Sequence, residues 1–344
     1  MRLYMQMALW RITTLIFIFT VGLKAIEREP YCPKYIESCP RTCWSLAAEG
    51  DYWIVFRKTM EPHGFLYATG EEGGDTTYAV ENMSRMDFRF KSGVMAGIAF
   101  SPTAEHTVEL SYKGLIEWEQ IRKANSPTNQ LVVPTFPLTT HDWVDTTFVQ
   151  IDYHAKFNTV ELLYWNHVTP RYVDYFAFAW IIGVPGIKLT DRMVYNTTKE
   201  YPSNIGTFTD QYKVSISNEM IGGEIGLDFE HNPMCYFTWG LQGKFGLMAN
   251  MIEKTVFLND QNSTEILVDR QMNTIRPSYL IDFNTYFTYH MKYAHIRIGY
   301  NYFNLYEAAL SPNQIRRSKS LYQIHLSGQR ICFNSFYAGL GFNW

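Results

Sequence analysis

An all-β, transmembrane, antiparallel up-and-down β-barrel of about ten strands is the fold class this sequence predicts. Three observations carry it: sustained period-two alternation, connections that are by turns short and long, and an aromatic, charge-poor composition.

Composition sets the solvent. Among 344 residues there are 24 Tyr, 23 Phe and 9 Trp, and charged residues are 18%, below the usual quarter. Mean hydropathy is nonetheless -0.19. A bundle of membrane helices, each needing about 20 consecutive apolar residues, would be far more apolar. A formal net charge of -3 and a pI near 6.3 give no basic field for nucleic acid, so that class of partner is excluded.

Residues 1–25 read as a signal peptide. Arg2 and Arg11 precede an apolar run from Ile12 to Leu23, and Ala25 offers a cleavage point before Glu27 and Arg28; the run is short for a span. A signal anchor is the alternative, because Leu23 is large for its place before the cut. Residues 26–43 form a Cys- and Pro-rich segment. Cys32 follows no lipoprotein-type box. Cys32, Cys39 and Cys43 predict one disulfide among them in an oxidising periplasm, and the odd total, with Cys235 and Cys332, leaves a thiol free or cross-linked to an envelope partner. Their spacing matches no common zinc pattern and no His lies nearby, so neither metal nor cofactor is expected.

From residue 44 to 344 alternation dominates. Met86, Phe88 and Phe90 alternate with Asp87, Arg89 and Lys91, then Val108, Leu110 and Tyr112 with Glu109, Ser111 and Lys113. Val149, Ile151, Tyr153, Ala155 and Phe157 alternate with Gln150, Asp152, His154 and Lys156. Tyr279 to Tyr289 and Ile296 to Tyr302 continue the pattern. Short connections fall near Ser101–Glu105, Val168–Arg171, Glu230–Pro233 and His290–Tyr293. Long ones fall near Lys58–Arg85, Ile121–Asp142, Met193–Phe208, Asn259–Thr274 and Glu307–Leu321. Short periplasmic turns and long external loops are the habit of transmembrane barrels.

Strand number turns on one place. Alternation slips phase around Phe157 to Val160, where Asn158 is either a turn or a β-bulge. A bulge keeps every short turn on one side and gives about ten strands; a turn gives about twelve. Pro185 with Gly186, and Gly222 with Gly223, predict further interruptions.

In hydrocarbon an unpaired backbone N–H or C=O costs several kcal/mol, so a sheet crosses only when closed. Its outer stripe must be apolar, with aromatics near the headgroups. Tyr52, Trp53, Trp118, Trp143, Tyr164, Trp165, Trp180 and Trp239 are candidates for that girdle, some of them facing inward. The opposite stripe predicts lumen-lining residues Asp87, Arg89, Lys91, Glu109, Lys113, Asp152, His154, Lys156, Glu224, Asp228, Gln242, Lys244, Asp282 and Arg297. About ten strands make a narrow tube, since wide aqueous channels appear at roughly 16–18. The closing run ends in Leu340, Phe342 and Trp344, which predicts a signal read by the outer-membrane assembly machinery.

The runs HAKFNTVELLY (His154–Tyr164), Ile181–Asp191, NEMIGGEIGLD (Asn218–Asp228), Trp239–Asn250, Ile296–Arg317 and the terminal FYAGLGFNW resemble, in order, beta-barrel porin family seven. They are also similar to Legionella-type pore-forming outer-membrane proteins. The resemblance covers most of the chain after Trp44. It implies the barrel and, as inference within that family, a pore. Val184, Pro185 and Gly186 stand where the family tends to an Arg and an aromatic, and Asp191 where it favours Glu.

A rim-located hydrolase is the weakest reading. His141 and Asp142 are adjacent and would point to opposite faces of a strand, and no nucleophile, zinc, phosphate or calcium motif appears. The expectation is a chain that is not an enzyme. The predicted function is a narrow outer-membrane pore for ions or small solutes. The alternative is a structural or adhesive barrel acting through loops such as Ile121–Asp142, with outer-membrane lipid as its surroundings.

Overall fold

The computed structural model describes residues 45–59, 64–69, 77–82, 90–103, 105–125, 131–132, 146–168, 176–200, 207–234, 236–259, 266–291, 293–314, 326 and 328–343. Residues 1–44, with the predicted signal peptide and Cys32, Cys39 and Cys43, lie outside them, as do Asp87, Arg89, His141, Asp142, Trp143, Cys235 and Trp344.

Among the described residues thirteen strands form in chain order: β1 (Ser45–Thr59), β2 (Gly64–Thr69), β3 (Thr77–Asn82), β4 (Lys91–Thr103), β5 (His106–Asn125), β6 (Leu131–Val132), β7 (Phe148–His167), β8 (Phe176–Glu200), β9 (Thr207–Met234), β10 (Phe237–Asn259), β11 (Ile266–His290), β12 (Ala294–Ala309) and β13 (Gly328–Asn343). Ten of them close an antiparallel barrel in the order β1-β13-β12-β11-β10-β9-β8-β7-β5-β4, and β2, β3 and β6 make a small separate sheet. Closure comes from β1, which pairs with β4 on one side and with β13 on the other. Ala47 stands opposite both Ala99 and Asn343, so both barrel ends share a rim with the short turns at Thr103–His106, Met234–Phe237 and His290–Ala294. The β1–β4, β5–β7, β8–β9, β10–β11 and β12–β13 connections occupy the opposite, outer rim.

Strand length exceeds what a membrane requires. A crossing strand needs about 9–11 residues, whereas β8 has 25, β9 has 28 and β11 has 25. Much of Met193–Phe208 and Asn259–Thr274, expected as loop, is therefore strand. These parts read as loops because their solvent-facing residues are polar.

The slip near Asn158 is neither turn nor bulge. β7 pairs with β8 without a break from Phe148↔Thr198 to His167↔Ala179, and its odd-numbered residues face inward along its whole length. What changes there is polarity. Toward the short turns the outer face carries Val160, Leu162 and Tyr164; toward the outer rim it carries Gln150, Asp152, His154 and Lys156, while Val149, Ile151, Tyr153, Ala155 and Phe157 are buried inside.

Neighbouring strands invert at the same level. On β9, exposed Ile221, Ile225 and Leu227 give way to Lys213, Ser215, Ser217 and Glu219. On β8, Ile182 and Val184 give way to Lys188, Thr190 and Arg192. The barrel thus has a crossing half, apolar outside, and an outer half, apolar inside.

Neither expected interruption breaks its strand. Pro185 and Gly222 lie within unbroken β8 and β9, opposite each other where β8–β9 pairing lapses between Gly183↔Glu224 and Gly186↔Ile221. Proline cannot donate to the ladder, and a Cβ on Gly222 would strike the Leu247 carbonyl and Met248 Cα of β10. True irregularities lie elsewhere. β5 shifts register between Lys113 and Ile116, with Leu115 at φ 58°, and β12 shifts between Leu305 and Ala308, with Glu307 at φ 59°. The β5 bulge resets parity, so Glu109 and Lys113 face inward below it and Ile116 and Trp118 above it.

Candidate functional site

The interior is layered by the same inversion. In the crossing half, inward positions of many strands converge on a cavity of about 140 Å3 that reaches the short-turn rim at His290 and His295. Its polar walls include Glu49, Glu109, Lys113, Glu161, Glu230, Gln242, Lys244, Asn284 and Arg297.

At its inner end two lysines bridge two carboxylates. Lys244 Nζ donates to Glu161 Oε2 at 2.5 Å and lies 3.3 Å from Asp282 Oδ2; Lys113 Nζ lies 3.4 Å from Glu161 Oε1 and 3.4 Å from Asp282 Oδ2. Asn301 Nδ2 donates to the other Asp282 oxygen. Such a quartet of mutually paired charges offsets much of their desolvation. Glu224 stands aside, 3.7 Å from Lys244, with neither carboxylate oxygen accepting a hydrogen bond.

Nearer the rim, Arg297 Nη1 bonds Glu49 Oε2 at 3.0 Å while its guanidinium lies 4.9 Å from the Tyr286 ring centre. The Tyr286 hydroxyl is placed to donate to Asp228 Oδ1 (3.0 Å) or Glu230 Oε1 (2.8 Å). Its ring crosses Gly240, where any Cβ would collide with it. Asp51 is 5% exposed.

Beyond the quartet the bore is filled. Phe157 packs on Phe333 and Phe303 with ring centres 4.6 and 5.4 Å apart, and Trp118 on Phe333 at 5.6 Å. The void between this layer and the quartet is about 10 Å3, at the lower limit for a single water. Above it Ile151, Leu189, Met193, Met220 and Ile252 are each at most 2% exposed.

The end of β12 and the start of the β12–β13 connection turn inward onto this core. Ala308, Ala309 and Leu310 are buried, and a single 3₁₀ turn follows at Ser311–Gln314. Asn218 clasps it by donating to the Ala309 carbonyl (2.8 Å) and accepting from its N–H (2.9 Å). Asp191 Oδ1 accepts from Ser311 N at 2.9 Å and from the Ser311 hydroxyl. The other Asp191 oxygen accepts from Tyr153 and from Arg57 Nη2 at 3.3 Å, and both members of that ion pair are fully buried.

The sequence-predicted residues divide accordingly. Glu109, Lys113, Glu224, Asp228, Gln242, Lys244, Asp282 and Arg297 occupy inward positions in the crossing half, and Lys91 an inward position at the outer end of β4, opposite Val55. Asp152, His154 and Lys156 do not line the lumen. They stand on the outer wall of β7, where His154 and Lys156 meet Glu117, the latter at 3.4 Å, and Gln150 donates to Asp152 at 2.9 Å. The physical reason is that the apolar set Val149, Ile151, Tyr153, Ala155 and Phe157 packs inside here, which leaves the charged stripe facing out.

Leu340 and Phe342 point outward and are exposed at 52% and 48%. Trp53, Trp118 and Trp165 are buried inside, whereas Trp180 and Trp239 lie on outward positions. Cys332 is a buried free thiol. Sequence reasoning missed Glu49, Asp51, Glu161 and Glu230. Their signal was the flanking apolar residues, as Val160 and Leu162 flank Glu161.

No family model and no curated protein matches the chain. Among solved structures it is similar to the outer membrane protease OmpT of Escherichia coli, at 10% identity over 87% of this chain and 97% of that one, with a TM-score of 0.44. It is also similar to Ail of Yersinia pestis, at 9% over 88% and 99% with a TM-score of 0.26, and to a Pseudomonas aeruginosa FadL homologue, at 8% over 87% and 90% with a TM-score of 0.24. These neighbours are outer-membrane β-barrel proteins. Such likeness carries no residue role to this chain. The expectation that the chain is not an enzyme is withdrawn, since a protease stands among the barrels it is similar to.

Proposed function

We propose that this protein is a bacterial outer-membrane barrel, exported through the periplasm, whose bore is closed at rest and whose outer end is the working surface. Of the two main expectations, narrow pore and loop-presenting barrel, the geometry favours the second.

One observation carries the reading. The aromatic layer of Trp118, Phe157, Phe303 and Phe333, backed by the inward turn at Ala308–Gln314, fills the bore between the cavity and the outer rim. An ion crossing it would need to shed its water into an apolar layer, at a cost of tens of kcal/mol for a bare charge at low dielectric. The outer rim, by contrast, gathers the long connections, two of which pair with each other through β2 and β6. Loops held on a rigid scaffold are where recognition concentrates. The order of motifs resembling porin family seven supports the barrel within this reading and adds no pore residue to it. The outward Leu340 and Phe342, with Trp344 after them, are what an assembly signal would present.

Planar-bilayer recording of the refolded chain tests the proposal. A quiet bilayer, with protein that shows heat-modifiable mobility on gels, is the expected result. Discrete single-channel steps from the same sample would overturn it.

A further inference from the structure

Arg330, near the outer end of β13, is a cation of the outer wall that neutral groups hold in place. Its Nε donates to Asn304 Oδ1 at 3.0 Å and its Nη2 to the Tyr302 hydroxyl at 2.8 Å. The guanidinium carbon lies 5.1 Å from the Tyr306 ring centre, and Tyr306 in turn stacks on Tyr279 with ring centres 4.8 Å apart. Nη1 is left without a hydrogen-bond partner among the described residues. The Glu307 carboxylate lies beside Gly328, two residues along β13, and among the described residues it makes no ion pair with Arg330. Lys156 and Lys188 elsewhere on the outer wall do meet acids, Glu117 and Glu219. A guanidinium fixed by neutral partners has already given up its side-chain freedom and still presents donors to an oxyanion.

Charge and depth say what that oxyanion is. Beyond Glu307 the sequence carries Arg316, Arg317, Lys319 and Arg330 and no Asp or Glu before it ends. The outward stripe of β13 is apolar from Phe336 through Ala338 and Leu340 to Phe342, and Arg330 lies on that stripe twelve residues from Phe342. At roughly 3.3 Å per residue and a strand tilt of about 40°, this sets Arg330 about 30 Å above Phe342, just past an apolar band of about 25 Å. The tyrosines around it stand where the girdle at the headgroups belongs. We infer that Arg330, positioned by Tyr302, Asn304 and Tyr306, binds the phosphate of an anionic lipid headgroup in the outer leaflet. The inference rests on the outer-membrane reading and is independent of whether the bore conducts.

Native mass spectrometry of the refolded full chain, released from a neutral detergent and titrated with phosphatidylglycerol or with phosphatidylcholine, reads the site directly. Phosphatidylglycerol should be held about 10-fold or more tightly than phosphatidylcholine. Arg330→Gln should abolish that preference, while Lys188→Gln on the wall of β8 should leave it unchanged. Should Arg330→Gln fail to refold, Arg330→Lys serves, since it keeps the charge without the planar fork and should weaken binding several-fold. Equal retention of the two lipids would overturn the inference, as would a preference that survives the Arg330 variants. Displacement of the lipid by millimolar inorganic phosphate would mark a site for a free anion and would overturn it too. Heat-modifiable mobility of the same samples reports the barrel itself, so loss of the fold is told apart from loss of the site.

Discussion

The two halves of this barrel are made of the same strands and obey opposite rules. In the crossing half β9 puts Ile221, Ile225 and Leu227 outside and Glu224, Asp228 and Glu230 inside; in the outer half the same strand puts Ser215, Ser217 and Glu219 outside and Tyr212, Val214 and Ile216 inside. Backbone parity never changes along it. The apolar stripe does: it faces out in the first half, as a surface against lipid would, and inward in the second, as a wall standing in water would. The outer half is therefore built like the core of a soluble barrel. The crossing half keeps a polar interior held together by ion pairs.

The sharpest way to break this contrast is the ion pair inside the outer half. Asp191→Ala strips the fully buried Arg57 of its carboxylate and should destabilise the folded barrel by about 3–5 kcal/mol, seen as a lowered urea midpoint. A loss below about 1 kcal/mol would mean water reaches that core. Phe157→Ala, which empties the aromatic layer, should cost about 3–5 kcal/mol by the same assay without conferring steady conductance, since Trp118, Phe303 and Phe333 remain.

Next comes a matched pair on the outer wall of β9. Leu227→Arg in the crossing half should cost about 2–4 kcal/mol in lipid vesicles. Ser217→Arg, ten residues earlier on the same stripe, should stay within about 0.5 kcal/mol. Equal effects would erase the boundary between the halves. The smallest effect belongs to the exposed Lys188–Glu219 pair, 2.6 Å apart on the outer wall. Lys188→Ala should shift stability by less than about 1 kcal/mol, and less still in high salt.

Much of the barrel is legible before any coordinates. Alternation in Tyr279–Tyr289 and Ile296–Tyr302, with short turns at Ser101–Glu105 and His290–Tyr293, leads to ten antiparallel strands with both ends on one rim. The run Val149–Phe157 misled for an instructive reason. Its alternation is the clearest in the chain, yet period two says that two faces differ and not which face is which. Taking apolar as outward put Asp152, His154 and Lys156 in the lumen and demanded a bulge at Asn158 to recover Val160 and Leu162. An unbroken strand passing from water into lipid accounts for both runs.

The sequence by itself determined the strands, their antiparallel order and the apolar stripe of the crossing half, because those follow from local period and from turn length. Only the tertiary structure decided three things. These are the level at which polarity inverts, the closing of the bore by Phe157, Phe303 and Phe333, and the meeting of Lys113, Glu161, Lys244 and Asp282 from four strands. Each depends on strand stagger around a closed cylinder. Stagger is set by pairing between residues far apart in the chain, such as Lys113 with Thr159 and Lys244 with Asp282, which no local pattern encodes.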